Sequence, residues 1–285
     1  MRQIRLAIAL LAAVSGCGPV RAQTQPTPVP ANALVPRAPR SAPISAWTPD
    51  AGRSLLSANV DGAVLRGFAY RGSDPRMRLT VLYFGGSGSP LNGAGFPSVV
   101  AQLGPNVVAY DYRGFGWSTG TAEISALRDD ALKLFDITAA GAGGPAHVVM
   151  LGYSFGTPLA AYVASERPVR GLILISSLST LKEQLTFLLT TTRGMTPQEA
   201  NALPYSDGAR IYYDVTQMVS KSTAPLLVIH GEADRNVSVA EGREVYAAGA
   251  GAPKRLVTIP NATHNAPGQP ESLDAMKAFF NTLRY

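Results

Sequence analysis

Val148-Val149-Met150-Leu151-Gly152-Tyr153-Ser154-Phe155-Gly156-Thr157-Pro158-Leu159-Ala160-Ala161 is the stretch that decides the fold. A short apolar run stops at Gly152 and an alanine-rich helical pattern begins at Phe155, which leaves Ser154 on the corner between a buried strand and a helix. Gly152-Tyr153-Ser154-Phe155-Gly156 is a G-x-S-x-G pentapeptide in the context that gives it chemical meaning. So sharp a turn holds the serine in a strained backbone conformation, with glycine two residues to either side where a Cβ would collide with the neighbouring elements. The hydroxyl is pushed out above the sheet. The helix that follows turns the positive end of its dipole and its free N–H groups towards that point, which favours an anion forming beside Ser154.

Outward from this corner, apolar β-branched runs alternate with longer helical patterns. Strands are expected at 79–84, 106–111, 147–152, 171–176, 225–230 and 255–260, and helices near 94–103, 122–139, 155–166, 238–249 and 271–283. Continuous apolar strands separated by helices imply a mainly parallel sheet covered on both faces, an α/β fold. Asp61-Gly62-Ala63 reads as the turn of an opening antiparallel hairpin. About 240 residues, 45–285, suit one domain with a single large core.

In such a sheet the site lies at the carboxyl ends of the strands. Phe84-Gly85-Gly86-Ser87-Gly88 leaves the first long strand as a glycine-rich loop that can bring a backbone N–H close to a ligand. In an acyl-transfer site the N–H of Phe155 would be one oxyanion donor and the N–H of Ser87 the second, with Gly86 the next candidate. A phosphate-binding role is disfavoured, because no Gly-Lys-Ser/Thr follows and no G-x-G-x-x-G opens the next helix. Asp111-Tyr112-Arg113-Gly114-Phe115-Gly116-Trp117-Ser118 follows the second long strand and reads as structural support, with Asp111 a secondary candidate for a catalytic acid.

The chain has three histidines. His147 lies at the amino end of its strand, on the wrong side of the sheet, and His230 ends a strand in His230-Gly231-Glu232-Ala233-Asp234, where it is expected to satisfy local hydrogen bonds. His264 lies in the loop between the last strand and the last helix. The order is Ser154, Asp234, His264, each leaving a strand's carboxyl end. A serine hydroxyl is a poor nucleophile until an imidazole takes its proton, and the imidazole needs an acceptor on its other nitrogen to fix the tautomer.

With these residues in hand the chain resembles the α/β-hydrolase family over residues 53–284. The matching pieces are VLYFGGSG, AYDYRGFGWSTG, LGYSFGTPLA, LLVIHGEADRNV and IPNATHN. They look most like the small-lid subgroup that contains eukaryotic membrane-associated acyl thioesterases and many bacterial hydrolases. The resemblance implies an α/β-hydrolase fold with a short helical lid and a serine hydrolase with Ser154, Asp234 and His264 as its triad, needing no cofactor and no metal. This chain carries Gly85-Gly86 where those relatives usually have His-Gly, and it lacks the extended glycine motif of carboxylesterases.

Residues 177–224 lie between two strands and are too many for a simple crossover, so one or two helices forming a lid over Ser154 are expected there. Leu185, Phe187, Leu188, Leu189 and Met195 make this segment apolar and suggest an acyl pocket.

The chain's start has a different character. Residues 1–16 carry two arginines and an uninterrupted apolar run too short to span a bilayer, the parts of a signal peptide. Val14-Ser15-Gly16-Cys17 resembles the bacterial lipobox, and Cys17 is the chain's one cysteine, so its lipidation is expected; cleavage after Ala22 and soluble secretion is the alternative. Residues 17–44 then form a lipidated end and a proline-rich spacer. Five of the 25 basic residues and none of the 19 acidic ones precede residue 45, which leaves the domain 20 against 19. The formal charge of +6 therefore gives no support to nucleic-acid binding. The expected protein is an exported hydrolase of a small-molecule acyl ester or thioester, held on the bacterial envelope membrane by its lipid. A serine peptidase and a non-catalytic binding lipoprotein are the readings that compete with it.

Overall fold

The computed structural model describes residues 35, 52–87, 95–204 and 207–283, with the side chains of 207–209 excepted. The expected signal peptide, Cys17 and nearly all of the spacer lie outside the described residues.

Among the described residues eight strands form one sheet: β1 (Arg53–Val60), β2 (Ala63–Tyr70), β3 (Thr80–Phe84), β4 (Asn106–Tyr110), β5 (Val148–Tyr153), β6 (Gly171–Ile175), β7 (Leu226–Gly231) and β8 (Lys254–Ile259). Their spatial order is β1-β2-β4-β3-β5-β6-β7-β8. The first two strands pair antiparallel with each other, β2 pairs antiparallel with β4, and every pairing from β4 through to β8 is parallel. The hairpin turns at Asp61 and Gly62, both at positive φ, 41° and 76°, as a two-residue turn matched to strand twist requires.

The parallel strands read as unbroken apolar runs because each is buried on both faces. Leu82, Phe84, Met150, Leu172, Leu174 and Val228 enter one core with helices α2 (Ile124–Ala142), α3 (Thr157–Glu166) and α8 (Val239–Ala248). Val81, Tyr83, Val149, Leu151, Ile173, Ile175 and Ile229 face the other way, onto α1 (Gly95–Gln102) and α9 (Pro270–Thr282). All five expected helices and all six expected long strands form, with ends shifted by a few residues.

The segment 177–224 is richer than expected. Its described residues form four helices, α4 (Leu181–Arg193), α5 (Pro197–Asn201), α6 (Asp207–Tyr212) and α7 (Val215–Lys221). Val215, Met218 and Val219, at i, i+3 and i+4, are buried in the core shared with α3. Helix α7 is thus the crossover that joins parallel strands β6 and β7, and only α4 to α6 are additional to it. Local capping sets the ends of the lid helices. Thr180 Oγ1 accepts the N–H of Glu183 at the start of α4, Gly194 at φ 65° ends it, and Thr196 with Glu199 forms a capping box on α5.

Candidate active site

The corner predicted around Ser154 is a short 3₁₀ turn, Ser154–Gly156, between β5 and α3, and Ser154 has φ 51°. A side chain rarely tolerates this left-handed region, and such strain persists only where the surroundings enforce it. They do so by close approach. A Cβ on Gly152 would fall 2.7 Å from the carbonyl oxygen of Gly156, and one on Gly156 would fall 2.1 Å from that of Phe84. Thr157 Oγ1 donates to the Ser154 carbonyl at 2.7 Å and closes the turn.

Ser154 leaves β5, Asp234 the loop after β7, and His264 the loop after β8. The structure brings the three into one hydrogen-bonded chain. Ser154 Oγ lies 2.9 Å from His264 Nε2, and His264 Nδ1 lies 2.7 Å from Asp234 Oδ2. A carboxylate can only accept, so Nδ1 carries the proton and Nε2 is left with its lone pair towards the Ser154 hydroxyl. The Asp234 side chain is fully buried and that of His264 keeps 21% of its surface. Asp234 Oδ1 accepts the N–H groups of Asn236 and Val237 at 2.8 and 3.1 Å. Burial alone would raise the Asp234 pKa, but the hydrogen bond and charge of His264 and these two N–H groups outweigh it and hold the carboxyl below its usual range.

The remaining histidines lie elsewhere. His147 Nδ1 is 3.0 Å from the carbonyl of Arg78, at the amino edge of the sheet. His230 is completely buried behind Asp234, donates from Nε2 to the Val237 carbonyl at 3.1 Å, and is kept neutral chiefly by burial. It supports the turn that presents Asp234. Asp111, the secondary candidate acid, does not meet His264: its Oδ2 accepts the N–H of Trp117 at 3.2 Å and a Cβ on Gly116 would overlap it. Arg113 pairs with Asp130 at 2.6 Å and donates to the carbonyls of Val60 and Asp61, so the loop after β4 is pinned to the hairpin.

Of the two expected backbone donors, Phe155 is buried at the head of the turn leading into α3, and Ser87 is exposed on the loop after β3. That loop lies against the candidate nucleophile, since a Cβ on Gly86 would be 3.7 Å from Ser154 Cβ.

Three contributors were not singled out from sequence. Tyr153 Oη donates to the carbonyl of His264 at 2.7 Å, and Tyr112 Oη donates to that of Gly85 at 2.6 Å. Glu241, 2% exposed, accepts the N–H of Ser179 at 3.0 Å and so ties the root of the lid segment to α8. The signal for Glu241 was present in Ser238-Val239-Ala240-Glu241, a capping-box pattern whose carboxyl group here does double duty. Nothing in the sequence distinguishes a tyrosine that bonds across loops from one that packs. Among the described residues no group of three His, Cys, Asp or Glu could hold a metal ion.

A serine, a histidine and an aspartate joined at the carboxyl edge of a mainly parallel sheet define the architecture of the α/β hydrolases. The family described as the alpha/beta hydrolase fold matches at residues 81–208. The chain is 28% identical over 240 residues to an uncharacterized protein of Mycobacterium tuberculosis, covering 80% of this chain and 79% of that one. It is 29% identical over 171 residues to the lysophosphatidylserine lipase ABHD12 of Macaca fascicularis, covering 52% of this chain and 39% of the lipase. A hyperthermophilic esterase from Pyrobaculum calidifontis superposes with a TM-score of 0.64 over 83% of this chain and 86% of that one, at 19% identity. The chain has the α/β-hydrolase fold.

Proposed function

We propose that the protein is a serine hydrolase of acyl esters or thioesters that works through an acyl-enzyme. One observation carries this reading: the Ser154 hydroxyl, the His264 imidazole and the Asp234 carboxylate form an unbroken relay with separations of 2.9 and 2.7 Å. His264 Nε2 takes the hydroxyl proton as Ser154 Oγ bonds to the acyl carbon, and Asp234 balances the imidazolium that results. The N–H groups of Phe155 and Ser87 receive the oxyanion. The proton on Nε2 then passes to the leaving oxygen or sulfur, and water repeats the sequence to release the acid and restore Ser154. Apolar residues of the lid segment, Phe187 and Leu188 among them half-buried, favour an acyl group over a charged one. Similarity to a lipase supports lipid-like acyl substrates. The N-terminal sequence supports an exported protein whose Cys17 carries a lipid and holds the domain on the bacterial envelope.

A fluorophosphonate probe and a panel of p-nitrophenyl esters, acyl thioesters and aminoacyl anilides test the chemistry. Esters or thioesters are expected to be the best substrates, and Ser154→Ala should lose labelling and at least about ten-thousand-fold in rate. Anilides turned over with higher kcat/KM than every ester would replace this reading with a peptidase, and absence of both turnover and labelling would leave a binding protein. Mass spectrometry of the mature N-terminus tests the anchor; an unmodified end at Gln23 would mean soluble secretion.

A further inference from the structure

We propose that Tyr112 is a positioning residue for the oxyanion loop; the inference rests on the serine-hydrolase reading above. Two successive glycines, Gly85 and Gly86, precede the Ser87 N–H, and a Gly-Gly link has no torsional preference of its own to aim that donor. The orientation has to come from outside the loop. Tyr112 Oη supplies it by donating to the Gly85 carbonyl at 2.6 Å, which fixes the plane of the peptide that leads into Gly86. Burial pushes the phenol well above its ordinary pKa, so the hydroxyl remains a donor at every working pH.

The Tyr112 ring is itself immobilised. It stacks on Phe84 at 6.4 Å with planes 10° apart and meets the edge of Phe115 at 5.7 Å. It also meets Phe155 edge-on at 5.6 Å. One side chain therefore touches Phe155 and the loop that leads to Ser87, holding the loop at Gly85 through its hydroxyl and the Phe155 side through its ring. The remaining freedom of the loop is closed from two other directions. A Cβ on Gly85 would lie 3.4 Å from the Tyr83 phenol, and one on Gly86 would lie 3.1 Å from the Tyr153 ring. The space beside the diglycine is thus filled by tyrosines of the adjacent strands, and Tyr112 provides its polar anchor.

Tyr112→Phe removes the anchor and leaves the ring. With wild-type turnover of p-nitrophenyl acetate first established, the variant should lose about tenfold to a hundredfold in kcat with KM within about twofold, because a donor displaced by a fraction of an ångström is lost to the transition state and not to the bound ester. Inhibition by a trifluoromethyl ketone, whose adduct with Ser154 carries the oxyanion, should weaken by the same factor. Unchanged kcat and unchanged inhibition would overturn the inference while leaving the hydrolase reading intact. A variant that fails to fold, or whose Tm collapses along with its activity, would also overturn it, since the hydroxyl would then be holding the fold together. A wild-type protein inert towards both ester and probe would refute the function itself.

Discussion

Tyr153 and His264 are joined by a hydrogen bond from the phenol to the main-chain carbonyl at 2.7 Å, so the strand that delivers Ser154 also clamps the loop that delivers its partner. Their rings lie 5.3 Å apart, tilted by 36°. Burial and the nearby Asp234 push the Tyr153 pKa up to about 12, which keeps the donor protonated. Tyr153→Phe should therefore lower kcat by about fivefold to tenfold with KM little altered, at a stability cost of about 1 kcal/mol. Steady-state kinetics beside a thermal melt check it, and unaltered kcat would show that the loop holds His264 unaided.

Strain at Ser154 makes a second, opposite prediction. At φ 51° a Cβ is penalised and glycine is not. Ser154→Gly should abolish hydrolysis and yet stabilise the fold by about 1 kcal/mol, a rise of about 2–4 °C in Tm for a domain of this size. Ser154→Ala keeps the Cβ and should gain nothing. Equal melting temperatures for the two variants would deny that the backbone is strained.

Steric demands at two glycines should separate cleanly. A methyl on Gly156 would fall 2.1 Å from the Phe84 carbonyl oxygen, whereas one on Gly141, near the end of α2, meets nothing within 4 Å. Gly156→Ala should cost about 3 kcal/mol or more, and Gly141→Ala should stabilise by about 0.5 kcal/mol. Urea titration of both variants measures the difference.

Glu241 gives the fold a pH dependence. Burial, opposed by hydrogen bonds from the Ser179 and Ser238 N–H groups and reinforced by Glu244 and Glu183, pushes its pKa up to about 8 from an ordinary value of 4.5. A folded-state pKa above the unfolded one means that its contribution is complete below about pH 4.5 and is lost as pH rises through about 8. Wild-type Tm should fall by about 10 °C more than that of Glu241→Gln between pH 5 and pH 8.5. Parallel Tm curves would show that Glu241 does not titrate in this window.

The frame was legible in the sequence because strands buried on both faces leave short continuous apolar runs, as at 171–176 and 225–230, rich in β-branched residues and separated by longer helical patterns. The hairpin was legible in Asp61-Gly62, where the chain must adopt positive φ. Ser154, Asp234 and His264 could be placed at one edge of the sheet because the alternation of strands and helices says which loops share it. The lid was read less well. Its helices are short and capped locally, and the periodicity of Val215, Met218 and Val219 is too brief to announce a crossover helix. Contacts that cross between loops, such as Tyr112 to Gly85 and Glu241 to Ser179, depend on three-dimensional neighbours that no local pattern encodes. Asp111 and Asp234 both follow strands, and only the fold shows that Trp117 and Gly116 occupy the former.

The relay is assembled from the ends of β5, β7 and β8, with His264 110 positions after Ser154 in the chain. A ribosome that has passed Ser154 has still to make three more strands, the inserted helices and the crossover before His264 exists to meet it. No amino-terminal fragment ending before β8 can turn over an ester by this route, and a refolding chain acquires the activity only when its most distant contacts close. Hydrolysis thus doubles as a clock for completion of the fold.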